Sequence, residues 1–217
     1  MSRYTLITGT KQWSSWSLRA WLAMRATGAE FHETTVRLRR PETHADIRKL
    51  APADKVPILK IEDGENTLTV FDSLAICETL AECFPEAQLW PEEFAARAQA
   101  RAISAAMHSE FAALRERLPM EFARNVPTPA LSREVVDEIA RIKAFWRGAL
   151  ERWGDGGFLF GSFSLADCMY APVVSRFRTY GIALDPALAA YCDRVWSLPA
   201  MQDWLQCAKD ELAEGLA

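Results

Sequence analysis

Two prolines, Pro85 and Pro91, bracket the stretch Phe84-Pro85-Glu86-Ala87-Gln88-Leu89-Trp90-Pro91, and the hydrophobic pattern changes across it. Proline has no amide to donate and its ring collides with the preceding helical turn, so no helix runs through such a stretch. Before it, residues 1–83 alternate short strand patterns with helical ones. After it, residues 93–217 read as helix almost throughout, in Ala-rich stretches whose apolar positions recur every three or four residues. The chain is expected to form an α/β domain over 1–83, a linker over 84–92 and an all-helical domain over 93–217. No internal repeat is found.

Within the first part, Tyr4–Thr8 is rich in β-branched and aromatic residues and predicts a strand. Ser15–Thr27 predicts a helix, with Leu18, Leu22 and Met24 beside Trp21 on its apolar side and Gly28 as its stop. Phe31–Leu38 predicts a second strand. Ile58–Ile61 and Thr67–Val70 flank Glu62-Asp63-Gly64-Glu65-Asn66, which signals a hairpin. Phe71-Asp72-Ser73 then opens a helix that reaches about Cys83. The order is β-α-β, a poorly defined stretch, then β-β-α. It is compatible with a thioredoxin-like architecture, and few other small α/β layouts fit it.

In the second part, Ile103, Met107, Phe111, Leu114 and Leu118 stand four, four, three and four residues apart and predict one helix over about 93–118. Pro119, Pro127 and Pro129 break it. A second helix is expected over about 133–153, with Val135, Ile139, Ile142, Trp146, Leu150 and Trp153 on one face. Gly154-Asp155-Gly156-Gly157 lacks the Lys and Ser/Thr of a phosphate loop and follows a helix, so it reads as a connector. Ser164-Leu165-Ala166-Asp167 is a capping box with Asp in place of Glu, stapled by Phe163 and Cys168.

Several function classes drop out. The net charge is −4 and the basic residues are scattered, which argues against nucleic acid as a partner. No apolar run is long enough to span a membrane, and the start does not read as a signal peptide. The five cysteines, Cys77, Cys83, Cys168, Cys192 and Cys207, form no C-x-x-C pair, and no His stands at metal-ligand spacing from them. They are expected to be small buried hydrophobes in a reducing, cytoplasmic compartment, with no metal site.

Four places can carry chemistry. Trp13-Ser14-Ser15-Trp16-Ser17-Leu18-Arg19 joins the first strand to the first helix, where free amides and the positive end of the helix dipole favour an anion such as a thiolate. Plain N-capping by the serines is the alternative. In Lys55-Val56-Pro57-Ile58 a proline stands just before a strand. A cis Val56–Pro57 bond would turn the Val56 backbone outward, to pair with an extended ligand as with another strand; a trans proline at a strand start is the alternative. In Phe71-Asp72-Ser73-Leu74-Ala75-Ile76 a polar pair opens a helix. Ser73 can hold a carboxylate there and Asp72 an ammonium, which together suit an amino-acid head group, again with simple capping as the alternative. The basic stretch around Arg37, Arg39, Arg40 and His44 could meet a second carboxylate, although a solvated face is the better reading.

In this order and at these separations, Ser14-Ser15-Trp16-Ser17-Leu18-Arg19, Lys55-Val56-Pro57, Asp72-Ser73-Leu74-Ala75-Ile76 and Ser164-Leu165-Ala166-Asp167 resemble the cytosolic glutathione transferases, over essentially the whole chain. The Ser-Ser-x-Ser-x-Arg pattern is most similar to the serine-type classes, zeta and tau. The resemblance implies a thioredoxin-like domain that binds glutathione, a helical domain that forms the second-substrate pocket, and a homodimer. It assigns Ser14 as the catalytic serine. It assigns Lys55 and Val56, beside Pro57, to the cysteinyl backbone of glutathione. Asp72 and Ser73 fall to its γ-glutamyl end, where the family more often has Glu-Ser. It gives Ser164 and Asp167 a structural cap. His44 is the candidate for the glycyl carboxylate. Trp13, Trp16, Met107 and Phe111 are candidate walls of the hydrophobic pocket, although Met107 and Phe111 also fit ordinary core.

The chemistry implied is thiol activation. A free thiol has a pKa of about 8.5, and lowering it by about two units takes roughly 2.7 kcal/mol. One hydrogen bond from Ser14 with the helix N-terminus can supply that, so Ser14 acts as a donor and no acyl-enzyme is expected. A Ser-His-Asp triad is not expected, because His32, His44 and His108 lack any supporting motif. The zeta pattern has Cys where Trp16 stands, so transfer to a hydrophobic electrophile is preferred over glutathione-dependent isomerisation of maleylacetoacetate or maleylpyruvate. No cysteine lies within Trp13–Arg19, which argues against thiol–disulfide exchange. A non-enzymatic binding or assembly module on the same fold is the remaining alternative.

Overall fold

The computed structural model describes residues 2–217. The N-terminal part comprises β1 (Arg3–Gly9), α1 (Ser15–Ala26), β2 (His32–Val36), α2 (Thr43–Leu50), β3 (Ile58–Asp63), β4 (Asn66–Phe71) and α3 (Ser73–Cys83). The strands form one sheet in the order β2-β1-β3-β4. β1 runs parallel to β2, with Thr5 opposite His32, and antiparallel to β3, with Ile7 opposite Ile58. β3 and β4 form the expected hairpin, which turns at Gly64 with φ +59°.

Successive side chains of a strand face opposite ways. Leu6 and Leu59 therefore join the large core with Leu18 and Leu22 of α1 and Ile76 and Leu80 of α3. Ile7, Val36 and Ile58 face the other way and pack with Ile47 and Ala51 at α2. Both faces of the sheet are covered. α2 occupies the stretch that the sequence pattern leaves undefined. Only Thr43 and Ile47 are buried along it, so it has almost no apolar stripe to read.

The C-terminal domain is helical: α4 (Phe94–Ser109), α5 (Ala112–Arg117), α6 (Arg133–Trp153), α7 (Leu165–Thr179), α8 (Pro186–Trp196) and α9 (Pro199–Ala213). The single helix expected over 93–118 is in fact two, broken at Phe111, whose φ is +62°. A left-handed conformation costs a residue with a side chain about 1 kcal/mol or more. Two features offset it. The Phe111 ring is buried in the core. The carboxylate of Glu138 on α6 accepts hydrogen bonds from Ala113 N and Leu114 N (3.4 and 2.6 Å) and so caps α5.

α6 begins and ends where its pattern predicts, with Ser132 accepting from Val135 N at 3.4 Å as its cap. α7 is the centre of the domain, and all of its residues except Arg178 are buried. α1 of the first domain packs directly against it. The Ser164–Asp167 cap is formed inside this core: Asp167 accepts from Ser164 N (2.9 Å), Ser164 Oγ (3.1 Å), Leu159 N (3.2 Å) and the Tyr191 hydroxyl (3.1 Å). Burial raises the Asp167 pKa to about 6, against the pull of these four bonds.

Cys77, Cys168 and Cys192 are buried as expected, but Cys83 and Cys207 are exposed. Cys83 closes α3 where the chain leaves for the linker, and Cys207 lies on the outer side of α9, so neither has core to enter. Among the described residues, no helix is long and apolar enough to cross a membrane.

Candidate functional site

A cleft of about 490 Å³ lies where α1, the start of β3, the start of α3 and α4 meet. From the sheet side it is lined by Lys55, Val56 and Pro57. The Val56–Pro57 peptide is cis, and Val56 lies beyond the last β1–β3 pair, Ile7 with Ile58, so it has no ladder partner. Gly9 makes this close packing feasible, because a Cβ there would stand 2.8 Å from the Leu38 side chain and 2.9 Å from that of Val56.

Asp72 and Ser73 enter from the α3 N-terminus. Asp72 has φ +81° and caps the helix: its Oδ1 accepts from Leu74 N (2.8 Å) and Ala75 N (3.4 Å). Its Oδ2 lies 3.1 Å from His108 Nε2. Ser73 is buried, yet its hydroxyl has no partner among the described residues. A buried hydroxyl left without a partner is costly unless a ligand supplies one, and a carboxylate at a helix N-terminus is a ligand that would.

Trp16 forms the wall beside α1. His108 of α4 meets its ring edge-on at 5.2 Å. On the ring also lie the guanidinium groups of Arg19 (4.3 Å) and Arg115 (5.5 Å). Arg19 is fully buried, and its three nitrogens have no hydrogen-bond partner among the described residues. Burial lowers its pKa to about 9, with Arg176 and Arg115 pushing the same way, so it still carries its charge at neutral pH. An unpaired cation so close to the cleft favours an anion there.

Ser14 stands at the N-cap of α1. It is buried at 5% exposure and is not among the cleft-lining residues. Its hydroxyl donates to Ser17 Oγ at 2.7 Å and accepts from Ser17 N at 3.4 Å, while Ser17 Oγ also accepts from Gly9 N at 3.0 Å.

The remaining candidates fall elsewhere. Met107 and Phe111 are core residues, 0% and 2% exposed, and do not line the cleft. The stripe they share is the face of α4 and α5 turned inward. His108, one residue further round α4, takes the wall position instead; its offset from that stripe was the only sequence signal for it. Trp13 lies outside the lining, with the Arg39 guanidinium 4.1 Å above its ring. His44 is also outside it: its Nδ1 is 3.1 Å from the carbonyl of Asp54, and Asp54 itself lines the cleft. Among the described residues, no group of His, Cys, Asp or Glu is placed to hold a metal. A larger depression, about 760 Å³, opens at the far end of the sheet beside Tyr4, Phe31, His32 and Phe84, away from these groups.

A four-stranded mixed sheet with a cis-proline edge, an acid-capped helix start beside it and a helical domain closing the cleft define a thioredoxin-like α/β domain joined to an all-helical one. The chain matches the model of the glutathione S-transferase N-terminal domain over residues 13–83 and that of the C-terminal domain over residues 96–194. It belongs to the glutathione S-transferase family. It is 38% identical over 90 residues to a probable maleylacetoacetate isomerase of Caenorhabditis elegans, a match covering 42% of this chain and 39% of that protein. It is 26% identical over 158 residues to glutathione S-transferase L3 of Arabidopsis thaliana, covering 73% and 58% respectively. The chain thus spans less than two thirds of the length of either curated relative. In fold it is similar to the crystal structure of a maleylacetoacetate isomerase from Anaeromyxobacter dehalogenans with glutathione in its active site, with a TM-score of 0.68, 24% identity and coverage of 95% and 96%.

Proposed function

We propose that the chain is a glutathione S-transferase in which Ser14 stabilises the glutathione thiolate for attack on a hydrophobic electrophile held between the domains. The observation that carries this reading is the Ser73 hydroxyl, which has no partner among the described residues and lies in the same cleft as Asp72 and Val56, whose backbone lies beyond the strand ladder. In this reading the γ-glutamyl carboxylate takes the Ser73 hydroxyl and the α3 amides, and its ammonium takes Asp72. The cysteinyl backbone pairs with Val56 beside Pro57, and Lys55 supplies a cation at the same end. His44, outside the lining, is the weakest member of the set.

The thiol then lies near the start of α1. Rotation of the Ser14 hydroxyl from Ser17 to the sulfur exchanges one hydrogen bond for a charge-assisted one. Ser17 Oγ keeps its bond from Gly9 N, so no buried acceptor is stranded. The thiol proton leaves to solvent, and the α1 dipole with the Arg19 charge favours the anion that remains. Trp16, Phe71 and His108 face the acceptor. The glutathione-binding domain is assigned to residues 1–83 and the acceptor domain to 93–217. The protein is assigned to the cytoplasm and to a homodimer, whose interface would cover Leu68 and Phe94, large apolar residues left exposed on one chain. Sedimentation giving only monomer at micromolar concentration would remove the dimer.

The test is a glutathione titration followed by thiolate ultraviolet absorbance at about pH 7, for the native protein and Ser14→Ala. Saturable thiolate in the native protein alone is the expected result. An equal signal from both would remove Ser14 from its role. The likeness to two maleylacetoacetate isomerases favours a second reading, in which glutathione is returned unchanged. Isomerised maleylacetoacetate with no glutathione consumed would establish it, although Trp16 stands where the zeta pattern has cysteine.

A further inference from the structure

Thr10–Trp13 connect β1 to Ser14, and the backbone of Lys11 and Gln12 within them is fixed by the other domain. Glu211 on α9 accepts from Lys11 N at 2.8 Å on one carboxylate oxygen and from Gln12 N at 3.0 Å on the other. Trp204 on the same helix donates its indole N–H to the Lys11 carbonyl at 2.9 Å. From the segment after α5, Phe122 N donates to the Gln12 carbonyl (3.1 Å) and Ala123 N to Gln12 Oε1 (2.9 Å). Gln12 Nε2 donates to Glu121 at 2.9 Å. Every polar group of Gln12, and both backbone groups of Lys11, thus end on the helical domain.

The loop's own domain anchors Thr10, whose N donates to the Val36 carbonyl (3.1 Å) and whose Oγ1 accepts from Leu38 N (2.9 Å). The Thr10 carbonyl accepts from Trp13 N (3.1 Å) and Ser14 N (2.9 Å), which passes the position of the loop directly to the serine. The Lys11 side chain turns back to Glu33 and to Thr8. A carboxylate gripped by two successive backbone amides is among the stronger neutral-donor contacts available to a chain, and it fixes both peptide planes at once. Without it, Lys11 and Gln12 would present two buried amides with no acceptor, and the loop would shift to find one.

We infer that Glu211 is a positioning residue for Ser14: by holding the Lys11 and Gln12 amides it sets where the serine hydroxyl meets the glutathione sulfur. A residue close to the end of the chain thereby governs thiol activation at its beginning. This rests on the proposed role of Ser14. The lever is short, two residues from Gln12 to Ser14, and displacements of about 1 Å in such supports cost up to roughly 100-fold in rate. The groups that bind the rest of the peptide, Val56, Asp72 and Ser73, lie on elements that Glu211 does not touch.

The experiment compares native protein, Glu211→Gln and Glu211→Ala by three measurements: pH titration of the bound-glutathione thiolate absorbance, glutathione Kd, and Tm. Glu211→Ala is expected to raise the bound-thiol pKa by about one unit, a roughly tenfold loss of thiolate well below that pKa, while Kd changes by less than about twofold. Glu211→Gln, which keeps one acceptor oxygen, should fall between the two. A lowered Tm with a native bound-thiol pKa would make Glu211 a structural tie only and overturn the inference. Should Glu211→Ala fail to fold, Glu211→Gln decides alone, and a native thiol pKa in it overturns the inference. Absence of any thiolate signal in the native protein would instead overturn the role of Ser14 itself.

Discussion

Two helices begin with an aspartate and a serine, and the two starts are finished differently. At α7, Asp167 is fully buried and both its oxygens are taken up by two amides and two hydroxyls of the same chain. At α3, Asp72 is half exposed, caps with one oxygen and sets the other 3.1 Å from His108 Nε2 at the cleft wall, and Ser73 keeps a buried hydroxyl with no partner among the described residues. Both starts look like capping in the sequence. What separates architecture from recognition is whether the chain completes its own hydrogen bonds. A closed cap holds a core together, and in the proposed function the open one is completed by the bound peptide.

The difference can be broken from either side. The largest effect is expected at the closed cap. Asp167→Ala strands two amides and two hydroxyls in the core and should lower stability by about 3 kcal/mol, read by denaturant unfolding, with glutathione affinity unchanged in whatever remains folded. A matching loss of affinity would show that the α7 start also serves the cleft. The pH dependence has a defined sign. The folded pKa of about 6 lies above the ordinary 3.8, so the folded state holds the proton more tightly. The stability from protonated Asp167 is full below about pH 4 and is lost as the pH rises through about 6. Relative to Asp167→Asn, which does not titrate, native protein should therefore lose stability between pH 4 and 7; a constant difference across that range would refute the shift.

At the open cap the expected order reverses. Asp72→Asn keeps a good capping side chain that tolerates a positive φ, so Tm should hardly move. Glutathione affinity should fall by about 2 kcal/mol, or roughly 30-fold, because the ammonium loses its charged partner. If the Tm falls and the affinity holds, Asp72 is architecture after all. Ser73→Ala should give the smallest effect, roughly fivefold weaker binding, or about 1 kcal/mol, with no loss of stability because its hydroxyl bonds to nothing among the described residues.

What was legible in the sequence follows the same division. α1, α3, α6 and the hairpin are local: a cap, a periodic stripe and a stop lie within the segment itself. The motifs at Pro57 and Asp72-Ser73 are legible for that reason, since backbone geometry demands those residue types. α2 was not, because a helix resting on Ile47 alone has little pattern to show. The break at Phe111 was not, because its cap, Glu138, lies on another helix. The α4 wall of the cleft suffers most. Whether Met107 or His108 faces the cleft turns on 100° of rotation about α4, which is set by packing against α7 and not by the spacing of its apolar residues.

The burial of α7 has a further consequence. Its buried surface is shared with α1, and one continuous core extends from Leu6 and Leu59 in the sheet to Trp146, Met201 and Trp204 in the helices. A chain assembled as two architectural domains should therefore melt as one thermodynamic unit. Scanning calorimetry should record a single transition whose van't Hoff and calorimetric enthalpies agree, and neither half expressed alone should hold its fold.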